Sequence, residues 1–113
     1  MRVENIINNR GNRVANQFKI TDFDNNGDVK RISFQSYESE CCRIDYNDGN
    51  VVVTFGRDYN YSNTTLRHLY GFLRSFPCTS CIDNRKALNQ AIKAHQYIYD
   101  DIVIKVVYDE NMR

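Results

Sequence analysis

Residues 14–35 read VANQFKITDFDNNGDVKRISFQ, which is the pattern of a β-hairpin. The first seven residues alternate between two sides, as a half-buried strand does. The Asn26-Gly27 pair that follows is the strongest short-range hairpin signal. Alternation then resumes, and we predict that Ile32 and Phe34 point inward. In the first strand one side is formed by Val14, Asn16, Phe18 and Ile20.

Two further strands extend this hairpin toward the C-terminus. Cys42, Ile44 and Tyr46 alternate before the turn sequence Asn-Asp-Gly-Asn at residues 47–50, and the run at 51–55 (VVVTF) has high β-propensity. We therefore predict four antiparallel strands. On the N-terminal side the chain is polar up to about residue 13, and a short helical turn is the expectation there, from the spacing of Val3, Ile6 and Ile7.

Two amphipathic helices and a last strand are predicted after the hairpins. Ser62 or Thr64 can cap the first helix, and Pro77 stops it. Asp83 can cap the second helix, and the β-branched run at 102–108 (IVIKVVY) is typical of a central strand after a break at 99–101. The first apolar stripe comprises Leu66, Leu69, Tyr70, Leu73 and Phe76. The second comprises Leu88, Ala91, Ile92 and His95.

A Cys-x-x-Cys loop joins the two predicted helices. In the sequence Pro-Cys-Thr-Ser-Cys, two intervening residues bring the sulfurs of Cys78 and Cys81 to the same side of a tight turn. His95 lies roughly 18 Å along the second helix from its cap, which removes it as a ligand, and we expect it in the core. His68 lies about 12 Å from the loop by the same rise and is the fallback ligand.

The adjacent pair Cys41 and Cys42 is the expected second half of a tetrahedral structural zinc site. Neighbouring side chains of a regular strand point to opposite faces, so both cysteines ligate only if the chain bulges there. In a regular strand Cys42 faces the core, Cys41 points outward, and water or His68 completes the site. The alternatives are buried or free thiols, and a redox-active dithiol at the Cys-x-x-Cys loop.

These elements predict an α+β fold in one domain, residues 1–113. Its order is β-β-β-β-α-α-β, an antiparallel sheet of about five strands with two helices packed on one face and stapled by zinc. The net charge of +1 argues against a strongly basic nucleic-acid binder and against an acidic DNA mimic. The longest apolar runs span three to four residues and the N-terminus lacks a signal-peptide core, so we expect a cytoplasmic protein without membrane contact.

No pattern for catalysis stands out. The five glycines form no phosphate-binding motif, and nothing brings a serine and a histidine together. Residues 22–28 resemble a calcium loop but lack its glycine position and its last glutamate, so a turn is expected instead. The best candidate surface combines arginine with tyrosine, which are enriched at interfaces. Its partner-binding candidates are Arg57, Tyr59, Tyr61, Arg67 and Arg74.

Three segments, at 9–18 (NRGNRVANQF), 34–37 (FQSY) and 61–65 (YSNTT), resemble a pattern in small proteins of phages and prophages of Firmicutes. The resemblance covers about the first two-thirds of the chain. It implies a non-enzymatic, phage-encoded inhibitor of bacterial defence that acts in the host cytoplasm. The expected class is an anti-CRISPR protein that blocks target-DNA loading by the type II CRISPR nuclease. The alternatives are a phage accessory protein that binds nucleic acid through Arg57, Arg67 and Arg74, and a dithiol redox protein.

Overall fold

The computed structural model describes residues 1–47 and 49–113. The described part contains seven strands, two α-helices and one 3-10 turn at Pro77–Thr79. The strands are β1 (Arg2–Ile7), β2 (Arg13–Phe23), β3 (Val29–Ser36), β4 (Ser39–Asn47), β5 (Asn50–Gly56), β6 (Gln96–Tyr99) and β7 (Ile102–Asp109). The helices between β5 and β6 are α1 (Asn63–Arg74) and α2 (Arg85–Ala94). Asp48, in the turn predicted between β4 and β5, lies outside the described residues.

The strands form one mixed sheet in the order β1-β2-β3-β4-β5-β7-β6. The first five strands are antiparallel neighbours in chain order. The chain then crosses over through both helices and returns in β6, which pairs antiparallel with β7. As a result β7 lies between β6 and β5 and runs parallel to β5.

One hydrophobic core lies between the sheet and the two helices. On the sheet side the alternating residues of β3, β4, β5 and β7 face this core, and on the helix side both helices supply leucines. Phe34 of β3 packs against Phe72 of α1 with 5.6 Å between ring centroids. Each fully buried Leu or Phe side chain stabilises the fold by roughly 1.5–3 kcal/mol. The side chains with no solvent exposure include Phe34, Ile44, Val53, Phe55, Leu69, Leu73 and Ile104.

Side-chain caps fix where each helix begins. Ser62 caps α1, since its side chain accepts a hydrogen bond of 3.1 Å from the backbone N–H of Thr65. Asn84 caps α2, accepting 2.8 Å from Ala87 N–H, one residue after the predicted cap at Asp83. His95 ends α2 in the left-handed conformation (φ 63°) and is exposed, so the prediction of a core histidine is wrong.

The predicted five-stranded antiparallel sheet is also wrong, because the sheet has seven strands and one parallel pair. At the N-terminus, where a helical turn was expected, the structure has the strand β1, whose residues pair with β2 over Arg2–Asn5. The expected break at residues 99–101 is a hairpin turn that follows the short strand β6. β7 pairs antiparallel with β6 and parallel with β5.

The face of β2 that points into the core is not the face that carries its apolar residues. Gln17 and Thr21 are buried, whereas Phe18 and Ile20 are half-buried on the opposite face. Across the pair, Thr21 lies opposite Ile32 and so shares its helix-facing side. The two helices cover only that side, which leaves Phe18 and Ile20 on a face without a helix.

The predicted zinc staple is wrong as well. Within residues 1–47 and 49–113, no group of three or more His, Cys, Asp or Glu side chains is placed to hold a metal ion. The two helices pack on the sheet through the hydrophobic core, which both enter with leucine side chains. Cys41 and Cys42 are themselves part of that core.

Candidate functional site

A groove with a volume of about 770 Å³ separates α1 from the N-terminal edge of the sheet. Its helix wall is the exposed side of α1, where Arg67, Gly71 and Arg74 follow at spacings of four and three residues and so share one face. The sheet wall comprises β1, the β1–β2 loop and Lys19 of β2. The groove therefore owes its position to α1 crossing the sheet beside the edge strand β1.

The β1–β2 loop is held in one conformation by Asn8. Its side-chain oxygen accepts hydrogen bonds from the backbone N–H groups of Arg10 (2.9 Å) and Asn12 (3.0 Å), and Gly11 adopts a left-handed φ of 79°. The backbone N–H of Asn8 also donates to the carbonyl of Asn12 at 2.9 Å. This loop places Arg10 on the wall of the groove.

The groove is strongly positive. Four permanent cations line it, and its one carboxylate, Glu4, is already approached by Lys19 at 3.8 Å and by Arg2 at 3.1 Å. Within the described residues, Arg10, Arg67 and Arg74 have no ion pair with a carboxylate. The three guanidinium groups are therefore available to an anionic ligand.

His68 lines the groove between the two arginines of α1 without adding to its charge at neutral pH. Partial burial lowers the pKa of His68, and the positive charge of Arg67 lowers it further. The neutral imidazole can donate one hydrogen bond and accept another. The arrangement suits anion binding, with cations on both walls and a neutral hydrogen-bonding group between them.

The five predicted partner-binding residues do not form one surface. Arg67 and Arg74 meet in the groove. Tyr59 is half-buried, with its ring 5.8 Å from that of Phe55 and 6.0 Å from that of Tyr108. Arg57 lies beside Asp58 at 3.9 Å. Tyr61, which is 80% exposed, lines a second cleft.

Sequence reasoning missed Arg10 and Lys19. Lys19 could have been found by recognising that the polar side of β2 faces the helices, since it pairs with the buried Phe34. Arg10 lies in a turn-rich segment of the sequence. Such a segment predicts a loop, but it does not indicate that the loop lies opposite α1.

The second cleft, of about 670 Å³, lies between the β3–β4 turn and the start of α1. Two of the three segments quoted for the phage-protein resemblance, 34–37 and 61–65, contribute to its lining, and the first segment is hydrogen-bonded to Tyr37 through Asn16. The N–H of Tyr37 donates to the carbonyl of Asn16 at 2.6 Å, and the hydroxyls of Ser36 and Thr65 lie 3.3 Å apart. These segments therefore form one structural unit that fixes the start of α1.

The four cysteines lie in different surroundings. Phe34 pairs with Cys42 and the next residue of β3 pairs with Glu40, which makes Cys41 the extra residue of a β-bulge. The Cys41 thiol lies 3.5 Å from the carbonyl oxygen of Asp58 and donates toward it. Cys42 is fully buried in the core. The bulge required for ligation by both cysteines is present, but the Cys41 sulfur is directed at backbone carbonyls.

The Cys-x-x-Cys loop lies at the end of the 3-10 turn. The Cys78 sulfur is 3.8 Å from the hydroxyl of Tyr46, and Cys81 is exposed. Desolvation raises the pKa of Cys81, with Asp83 and Cys78 adding to the effect. A redox-active dithiol requires a thiol with a lowered pKa, so this environment does not favour redox chemistry.

Comparison with known proteins gives one match. Residues 1–92 match the model of DUF8033, a family of unknown function, and every residue that lines the groove falls within this range. No curated protein and no solved structure matches the chain. In the described part of the chain, neither helix has the length and apolar character needed to cross a membrane.

Proposed function

We propose that this chain, which belongs to the DUF8033 family, acts by binding a macromolecular partner and not by catalysis. The observation that supports this proposal is the groove between β1 and α1, where Arg10, Arg67 and Arg74 have no carboxylate partner in the described part of the chain. Arginine presents a rigid fork of donors that binds carboxylates and phosphates bidentately. The groove is thus a ready site for an anionic surface.

The partner we propose is the type II CRISPR nuclease, with the chain acting as a phage-encoded inhibitor in the host cytoplasm. Support comes from the resemblance of three segments to small phage proteins, and those segments pack together beside the start of α1. A guide-loaded nuclease of this type carries RNA and receives DNA in the same channel. This channel is positively charged, so a basic groove fits the bound guide RNA and not the channel wall. A small protein that covers the guide prevents target-DNA loading without any chemistry of its own.

Pull-down with the purified nuclease tests this function. We expect a stoichiometric complex with the guide-loaded form, and inhibition of DNA cleavage when the chain is added before the target. The double variant R67A/R74A should weaken the complex by more than about tenfold, because each charged hydrogen bond contributes about 1.5–3 kcal/mol.

The matched control is K86A/K93A, which removes two exposed cations at the same seven-residue spacing on α2. This control should bind like the unmodified chain. Absence of binding to both the guide-free and the guide-loaded nuclease would overturn the proposed function.

A further inference from the structure

The charge of the groove stands out against that of the whole chain. The protein carries a net charge of only +1, yet the groove collects four permanent cations around one carboxylate that is already paired. The cations lie on both walls, with Arg10 and Lys19 on the sheet side and Arg67 and Arg74 on the helix side. A ligand held between the walls must therefore present negative charge in two directions.

The spacing of the two helix arginines favours a ligand of high charge density. Arg67 and Arg74 are seven residues apart, about 10.5 Å along α1 at ~1.5 Å per residue. One nucleic-acid strand carries a phosphate on every nucleotide, so a strand that lies along this span presents more than one phosphate to the two arginines. An extended acidic peptide offers side chains on one side only every ~6.6 Å, and leaves fewer charges for the four cations.

The surface of the groove favours contact with a backbone and not with bases. Phe72, the one Phe, Tyr or Trp of the described lining, is 2% exposed, so the half-buried imidazole of His68 is the single ring that a base could reach. Gly71 lies between the two helix arginines, and a Cβ atom built there would meet only the Arg74 guanidinium, at 3.9 Å. The missing side chain lets a strand approach the helix closely.

We propose that this groove binds the phosphodiester backbone of a nucleic acid, with Arg10, Lys19, Arg67 and Arg74 as the phosphate-binding residues. Contacts of this kind are independent of sequence, because they reach phosphates and not base edges. The inference rests on the proposed function for its setting: the groove contacts the nucleic-acid component of the guide-loaded nuclease. The binding chemistry itself is a property of the chain alone and is testable without the nuclease.

Fluorescence anisotropy with labelled mixed-sequence oligonucleotides tests the inference. Single-stranded RNA, single-stranded DNA and duplex DNA are titrated with the full chain over a series of salt concentrations. We expect binding that weakens as salt increases and is independent of base sequence. The R67A/R74A variant should bind more than about tenfold more weakly and lower the salt slope by about 2, one for each lost contact.

The control K86A/K93A separates the groove from overall charge, because it lowers the net charge equally and should leave both affinity and salt slope unchanged. Equal losses in the two double variants would overturn the inference. So would the absence of salt-dependent binding to all three oligonucleotides, or tighter binding of poly-glutamate than of any oligonucleotide.

The two proposals fail separately. Binding to the nuclease without binding to free oligonucleotides overturns the phosphate site and leaves the partner in place. Binding to oligonucleotides without binding to any form of the nuclease overturns the partner and supports the phosphate site.

Discussion

At the scale of single residues, neighbouring positions in the chain can have different environments. The thiols of Cys41 and Cys42 are both buried because a bulge turns Cys41 toward the carbonyl oxygens of Ser39 and Asp58. The spacing of Cys78 and Cys81 predicted a local loop, and the structure has one. Spacing did not determine whether the other two sulfurs lie across from that loop, because this depends on long-range packing.

The environments of the thiols predict their order of reaction. Desolvation raises the pKa of Cys41 to about 11 and raises that of Cys42 well above its usual range. Relative to its ordinary value of 9.0, Cys41 then has about a hundredfold less reactive thiolate at neutral pH. We expect iodoacetamide to modify the exposed Cys81 first and to leave Cys41 and Cys42 unmodified in the native protein, as measured by peptide mass spectrometry.

The control for this experiment is the same reaction in denaturant, where all four thiols should be modified. The rate at Cys81 should rise with pH, because its thiolate fraction increases. Native Cys41 or Cys42 reacting as fast as Cys81 would contradict the buried placement of this pair.

At the scale of elements, a turn could be predicted where it contains the residues that its turn type prefers. The Asn26-Gly27 pair predicted the β2–β3 hairpin, and Gly27 adopts a φ of 85° there. The β6–β7 turn has Asp100 and Asp101 at φ 49° and 64°, and the β3–β4 turn has Tyr37 at φ 55°. Tyrosine rarely adopts positive φ, and the Asp-Asp pair lacks the glycine that marks the usual two-residue turn, so no hairpin signal indicated β6 and the last hairpin was missed.

The same turn offers a way to stabilise the protein. Two successive positive φ angles in a two-residue loop define a type I′ turn, for which Asn-Gly is the preferred sequence. The double variant D100N/D101G should therefore raise the free energy of unfolding by about 1 kcal/mol, because glycine adopts the left-handed region without a steric cost. Urea denaturation followed by circular dichroism measures this change.

A glycine placed elsewhere provides the comparison. Asp83 is exposed and is not among the residues with positive φ, so D83G should lower stability slightly, through the greater freedom of the unfolded chain and the loss of the 3.2 Å hydrogen bond that Asp83 accepts from Asn84. A D100N/D101G variant that is no more stable than the unmodified chain would show that the turn is not strained.

At the scale of the whole molecule, topology explains both the correct and the wrong expectations. Ile32 and Phe34 were predicted to point inward and are buried, because local alternation determines the side of a strand. The groove depends on β1 lying next to β2 with α1 beside it, a long-range arrangement that alternation does not encode. Arg67 and Arg74 were predicted as partner-binding residues because their spacing places them on one helix face. Arg10 and Lys19 were not predicted, because they join the groove only through this long-range arrangement.

The segment after the family match is central to the fold. The match ends at residue 92, whereas β7 lies between β5 and β6 and contributes Ile104 and Val106 to the core, at 0% and 2% exposure. A chain shortened to residues 1–95 loses both last strands and uncovers β5 and the underside of α2. We expect it to lack the cooperative thermal transition of the full chain in circular dichroism.

Point variants of β7 test the same claim in the full-length chain, where deletion does not complicate the result. I104A removes a fully buried side chain and should cost about 2–5 kcal/mol of unfolding free energy. Val107 lies on the face without a helix and is 43% exposed. V107A should therefore lower the free energy of unfolding much less, because removal of an exposed side chain leaves no cavity. Similar losses at both positions would contradict a core on one side of β7, and a cooperative transition in residues 1–95 would show that the matched region folds without β6 and β7.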